Sequence, residues 1–410
     1  MPEKVKFTMS VDLEFLFCVN RAMVSAEDHP LRPSHSRQPD RGLDQLKRLF
    51  LMNGLTINEA TSPTTYDVNN WNIVPNIDAE YFDSQGDCVK VLSSTSRFNL
   101  QTISGWDLTG AQLISKELGT PECDSWGRSV IQNRRADKPL LEISDYLKVL
   151  TDTESPTSPW FILTRPDVNH VGINIGTGPE ENPLNEHLDM LKHLALTLVE
   201  YEDIVSLFHH PNSRGWTDAR TNTRSHRYGA KDNTHVCGTL SNANVLNIES
   251  LIFGCRDIHA LAELMEAEYE EAPSAKFIDW RSLADFGRLT FFQHAGTNDI
   301  LEVGYWIRFI VTIFRLTERR SFGILEPLSP VGLEIDMRIG EVNRLWVFEA
   351  QERRADQLLD LLGLTRGDSK YWQRRMRSMQ RMSIFIVTTL LDLRSVLHVS
   401  KMHLNLSWWN

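Results

Sequence analysis

Twice along this 410-residue chain, an alternation of apolar and polar residues gives way after a short turn to an apolar stripe at helical spacing. The first instance runs from Asn169-His170-Val171-Gly172-Ile173-Asn174-Ile175-Gly176 through a Gly-Pro turn to Leu184, Leu188, Leu191, Leu194, Leu198 and Val205. In the second, Leu289-Thr290-Phe291-Phe292-Gln293-His294 passes through Gly296-Thr297-Asn298-Asp299 into an apolar helix from Ile300 to Leu316. A period of two alternates side chains across a strand, whereas a period near 3.6 lines one face of a helix. Each switch reads as a strand, turn, amphipathic helix unit, and the length fits two or three domains or a single large α+β domain. Asn182-Pro183 reads as the start of one long helix, since Asn caps open amides and Pro fits a first turn. Thr297 or Asn298 reads as the cap of the later helix, with Asp299 in its first turn.

Other segments fit this frame. Lys6 to Phe17 alternates as a half-buried strand and sets Asp12 and Glu14 on one face. Those two acids are either functional ligands or solvated residues of an exposed sheet face. Leu43, Leu46, Leu49 and Phe50 predict a short helix stopping at Gly54, several β-like runs occupy 71–120, and helices are expected at 140–151 and 256–271. Residues 26–42, 119–139 and 155–159 read as loops, and the polar stretch 212–244 as a long excursion of the kind that forms lids. The character changes near Ser321, which divides the chain into a domain at 5–322 and a helical C-terminal extension at 323–410, with helices at 342–362 and 370–398. Arg374, Arg375, Arg377 and Arg381 in the last helix read as a solvated face, the rival being a surface for an acidic partner.

Composition removes several function classes. Hydrophobic residues make up 41% and charged residues 24%, which is ordinary globular usage. The net charge of -11, with a pI near 5.7, disfavours a nucleic-acid partner. No run approaches the roughly 18–20 apolar residues of a membrane helix, so no membrane partner and a cytoplasmic location are expected. Five cysteines without a CxxC pair read as reduced thiols rather than a disulfide framework or zinc site. Neither a P-loop nor a GxSxG elbow is present, and the His209-His210 pair lacks spaced partners for a metal.

Three segments, taken in order, resemble the amidoligase family (COOH-NH2 ligases), which belongs with glutamine synthetase and glutamate-cysteine ligase in fold. Ser10-Val11-Asp12-Leu13-Glu14-Phe15-Leu16 is similar to that family's Gly-Val-Glu-Leu-Glu strand, and Gly110-Ala111-Gln112-Leu113-Ile114-Ser115-Lys116-Glu117-Leu118 to Gly-Val-Glu-Leu-Val-Ser-Pro-Val-Leu. Leu289-Thr290-Phe291-Phe292-Gln293-His294-Ala295-Gly296-Thr297 is similar to Ile-Glu-Phe-Arg-Gln-His-Ala-Gly-Thr, with Trp306 where the family also carries Trp. Between them, Val171 to Gly176 takes the place of Leu-His-Val-His-Val-Gly, followed by a helix bearing Glu200 or Glu202. Order and spacing agree over roughly residues 5–320.

The resemblance implies a curved antiparallel sheet with helices on one face, binding ATP and Mg²⁺. In that chemistry a small-molecule or peptide carboxylate is activated as an acyl phosphate and captured by an amine. It assigns metal binding to Asp12 and Glu14 and cofactor binding to Gln112, Asn174 and Gln293. The chemistry wants such groups, because Mg²⁺ takes carboxylate and water oxygens and the transferred phosphoryl needs positioned cations. The sequence departs from the family at its polar positions: Gln112 replaces a glutamate, Gly172 and Asn174 replace two histidines, and Thr290-Phe291-Phe292 replaces Glu-Phe-Arg. Displacement by two positions along a strand keeps a side chain on the same face, so His170, Arg288 and His294 become the candidate catalytic residues. Gln293 and His294 have a rival role as structural hydrogen-bonders at the turn into the 300–316 helix. The rival to a ligase is a catalytically inactive relative that keeps the fold as a binding or scaffold module.

Overall fold

The computed structural model describes residues 5–20, 41–60, 67–76, 106–120, 138–151, 159–164, 169–178, 181–209, 249–265, 278–323 and 344–381. The stretch 212–244, most of the expected loops, His210, Cys88, Cys123, Cys237 and the second half of the 370–398 pattern lie outside them, as do the side chains of Glu200 and Glu202.

Among the described residues, nine strands form one mixed sheet. They are β1 (Phe7–Asn20), β2 (Asn58–Glu59), β3 (Asn72–Pro75), β4 (Trp106–Ile114), β5 (Leu118–Gly119), β6 (Trp160–Leu163), β7 (His170–Thr177), β8 (Ile278–Asp279) and β9 (Leu289–Ala295). The order is β2-β3-β4-β1-β7-β9-β8, with β5 and β6 also paired to β1. Among the described residues, only the β2–β3 ladder is parallel. The fourteen-residue β1 is the central strand, and the path ends in two-residue strands at both edges, which leaves little unpaired ladder.

β1 explains the layering. Phe7, Met9, Val11, Leu13, Phe15, Phe17 and Val19 all enter the main core, while Thr8, Ser10, Asp12 and Glu14 face the other way. The core is completed by helices α1 (Arg41–Met52), α2 (Lys138–Thr151), α3 (Leu188–Glu200), α4 (Glu202–Leu207), α5 (249–254), α6 (Ile258–Met265), α7 (Trp280–Phe286), α8 (Ile300–Ser321), α9 (Arg344–Leu362) and α10 (366–381). Phe314 of α8 packs edge-on against Phe7 of β1 and Phe291 of β9, so α8 seats directly on the apolar side of the sheet. The architecture is consistent with the expected α+β class.

Local outcomes differ in instructive ways. The single helix expected after Asn182-Pro183 is split into a 3-10 turn (Leu184–Glu186), α3 and α4, with breaks at His187 and Tyr201. Pro183 opens the 3-10 turn rather than the α-helix, and no side chain caps either start. Asp299, rather than Thr297 or Asn298, caps α8 by accepting from the Leu301 amide at 2.8 Å, and Thr297 Oγ1 in turn accepts from the Asp299 amide. Of the four arginines read as a solvated face, Arg374, Arg377 and Arg381 are exposed. Arg375 instead donates to the Phe208 carbonyl at 2.8 Å and pairs with Glu302. Trp372 beside it is fully buried against Phe208, Trp306 and Phe309. Among the described residues, no helix is long and apolar enough to cross a membrane.

Candidate functional site

The register decides which side chains share the face opposite the helices. Asp12 pairs with Ile114 of β4 and Gly172 of β7, Glu14 with Gln112, Ser10 with Asn174, and Asn174 with Thr290 of β9. Directly opposed residues point to the same side. Asp12, Glu14, Gln112 and Asn174 therefore stand on one wall, as the alternation in Lys6 to Phe17 predicts for its two acids.

Asp12 is almost completely buried. Its Oδ2 accepts from Gln112 Nε2 at 2.5 Å, and its Oδ1 is buried without a hydrogen-bond partner. Burial pushes its carboxyl up to about 7, against the Gln112 hydrogen bond, which favours the charged form. Glu14 is half-buried, and its Oε2 accepts from the His170 backbone amide at 3.0 Å. Asn174 Oδ1 accepts from the Thr290 hydroxyl.

Along β9 the alternation breaks. Ile173 pairs with Phe291 but Val171 pairs with His294, so Phe292 and Gln293 together oppose Gly172 in a β-bulge. The extra residue keeps Phe292 on the polar face and sends His294 to the helix side, where Val171 also points. There His294 is fully buried, its ring 5.7 Å from that of Trp306 and 5.8 Å from that of His209. Burial, with the Arg375 charge second, pushes this imidazole down to about 3, so it is neutral. Its Nδ1 lies 2.8 Å from the Ala295 carbonyl. The expectation that His294 joins the acids on the polar face is thus corrected: same-parity reasoning fails across a bulge. Gln293 is buried and its Oε1 has no partner.

Gly172 and Phe292 are complementary. A Cβ at 172 would lie 3.0 Å from both Asp12 Cβ and Phe292 Cε1, so the aromatic ring takes the space a side chain at 172 would need. The place where the resembled family carries an imidazole is therefore closed in this chain.

Arg288 does lie on the polar face, but at its far end. Gly287 closes α7 in the left-handed conformation (φ 67), which turns the chain directly into Arg288 and β9. Its Nη2 donates to Glu117 Oε2 at 3.2 Å, and its stem crosses Gly176. Glu117 Oε1 also accepts from the Thr8 hydroxyl. His170 begins β7, half-buried, with its amide on Glu14. The wall thus gathers Asp12, Glu14, Gln112 and Asn174, places Arg288 at one end, and leaves His294 on the opposite side of the sheet. Glu117, the partner of Arg288, and Ser10, whose hydroxyl is buried without a partner, are members of this face that periodicity alone does not single out.

Among the described residues, no group of three or more His, Cys, Asp or Glu is arranged to hold a metal. Two carboxylates on one wall nonetheless suit Mg²⁺, which is commonly held by one or two carboxylates with water and substrate phosphate completing the shell. The unpartnered Asp12 Oδ1 fits that role, since a buried oxygen with no donor is costly until something satisfies it.

No family model matches the chain, and no curated protein matches it. Among solved structures it is similar to a bifunctional glutathione synthetase from Pasteurella multocida, with 10% identity and a TM-score of 0.30. That likeness covers 92% of this chain and 48% of the other, so the chain spans about half the length of that protein, and a likeness this distant carries no argument about its fold or chemistry.

Proposed function

We propose that the chain is a divergent ATP-dependent carboxylate–amine ligase with a glutamine synthetase-like sheet, acting on small-molecule or peptide carboxylates and amines. Its Asp12 and Glu14 would hold Mg²⁺, with Gln112 and Asn174 lining the nucleotide side of the wall. When bound, Mg²⁺ supplies charge neutralisation for a triphosphate. The observation that carries the reading is the buried, unpartnered Asp12 Oδ1 beside Glu14 on one sheet face. A ligase of this kind fits a cytoplasmic setting, without a nucleic acid or membrane partner. Calorimetric titration with ATP, with and without Mg²⁺, tests it. Wild-type protein should bind ATP only with Mg²⁺, and Asp12→Asn should weaken that binding roughly tenfold or more, as loss of a charged ligand does.

A second reading has its own observation. Phe292 closes the Gly172 position and the bulge sends His294 to the helix side, so neither position brings an imidazole to this face. The same titration separates the readings: absence of Mg²⁺-dependent ATP affinity leaves a catalytically inactive binding or scaffold module of the same fold.

A further inference from the structure

At the end of the polar face remote from the bulge, the chain displays a carboxylate already bound. Glu117, between β4 and β5, offers one oxygen to Thr8 Oγ1 at 2.5 Å and the other to Arg288 Nη2 at 3.2 Å. Two donors, a hydroxyl and a guanidinium, meet two oxygens, which is how proteins bind a carboxylate from solution. The floor beneath them is bare backbone. A Cβ at Gly176 would lie 3.3 Å from Arg288 Cγ and 3.5 Å from Thr8 Oγ1, so only glycine lets the guanidinium stem lie flat against the sheet without displacement. The Arg288 and Glu117 side chains are 28% and 27% exposed, so the pair is reachable from solvent. An ion pair that open contributes little net stability, and exchanging one carboxylate for another there costs little.

The position of this node matters. Thr8 and Asp12 lie four residues apart on the same face of β1, about 13 Å at the usual rise of a strand. Between them stand Ser10, whose buried hydroxyl has no partner, and the Asn174–Thr290 pair. A polar track therefore joins the node to the acids.

We propose that Thr8 and Arg288 over Gly176 form a receiving site for a carboxylate, occupied in this structure by the chain's own Glu117. The acyl donor would then be a dicarboxylate or a peptide, anchored by one carboxylate at Arg288 while its other end extends along Ser10 toward Asp12. This identification of the substrate class rests on the ligase reading, but the site itself does not.

Glutarate is the probe. Titrated by calorimetry into the full chain without nucleotide, it should bind Glu117→Gln roughly tenfold more tightly than wild type, because the internal competitor has lost its charge. Arg288→Gln should abolish binding in both backgrounds. Circular dichroism melting of each protein identifies a variant that fails to fold. In that event Thr8→Val in the Glu117→Gln background serves instead, with a several-fold loss expected. Glutarate binding that is no tighter in Glu117→Gln, or that survives Arg288→Gln, overturns the site. Mg²⁺-dependent ATP binding without any glutarate effect ends this proposal and spares the ligase reading, whereas the reverse result spares the site and ends the ligase reading.

Discussion

A carboxyl group held near neutrality inside a sheet makes its own demand on the folded state. Asp12, whose carboxyl ordinarily titrates near 3.8, is raised to about 7 in the folded chain by burial. Between those values the folded chain keeps a proton that the unfolded chain has released. Its contribution is therefore fully present below about pH 4 and lost as the pH climbs through 7, with a magnitude of about 4 kcal/mol. Asp12→Asn should flatten this slope, matching wild type at pH 4 and exceeding it at pH 8 in urea denaturation. Mg²⁺ at pH 8 should stabilise wild type and leave the variant unmoved. Equal slopes for the two proteins would show that Asp12 is not the group responsible.

Elements are held to one another by a few buried polar ties. At the start of β1, Glu318 of α8 accepts from the Val5 amide at 2.6 Å, and Arg315 donates to the Val5 carbonyl at 2.7 Å and to Glu318 at 3.0 Å. The Arg315 guanidinium also lies 4.5 Å from the centre of the Phe7 ring. Removing one charge strands the other in a dry site, so Glu318→Ala should cost roughly 3–5 kcal/mol. Replacing both with apolar residues, Arg315→Met with Glu318→Leu, should cost clearly less, and chemical denaturation of the three proteins checks the order. Much at this scale was readable in the sequence. The alternation of β1, β7 and β9, the stripes of α1 and α8, and the shared face of Asp12 and Glu14 all follow from local periodicity. What escaped was non-local. The bulge arises where β9 is matched against β7, so nothing within Phe292-Gln293-His294 announces it. Glu117 and Arg288 are partners across 171 residues. The short α7 does carry a local signal in the sequence, with Asp279 as its cap and Gly287 as its stop.

At the level of the whole molecule, the helices after residue 323 share the core of the sheet domain. Leu358, Leu359, Leu362, Trp372 and Met376 belong to the same buried cluster as Phe7 and Phe314. Arg308 pairs with Asp368 at 3.1 Å, and Tyr305 stacks on Tyr371 with ring centres 3.8 Å apart. Uncovering Trp306 and Phe309 by truncation after Gly323 exposes large aromatic surface, each such side chain being worth about 1.5–3 kcal/mol when buried. The truncated chain should lose cooperative thermal unfolding, whereas a folded, monomeric 1–323 fragment would establish a separate C-terminal unit. The surplus residue in β9 has a bearing on descent as well. Loss of a single codon at 292 or 293 would straighten the strand and still leave His294 opposite Val171, its neutral ring in the interior. Had the strand instead kept its length and run without the bulge, the same imidazole would stand opposite His170, on the side of the acids.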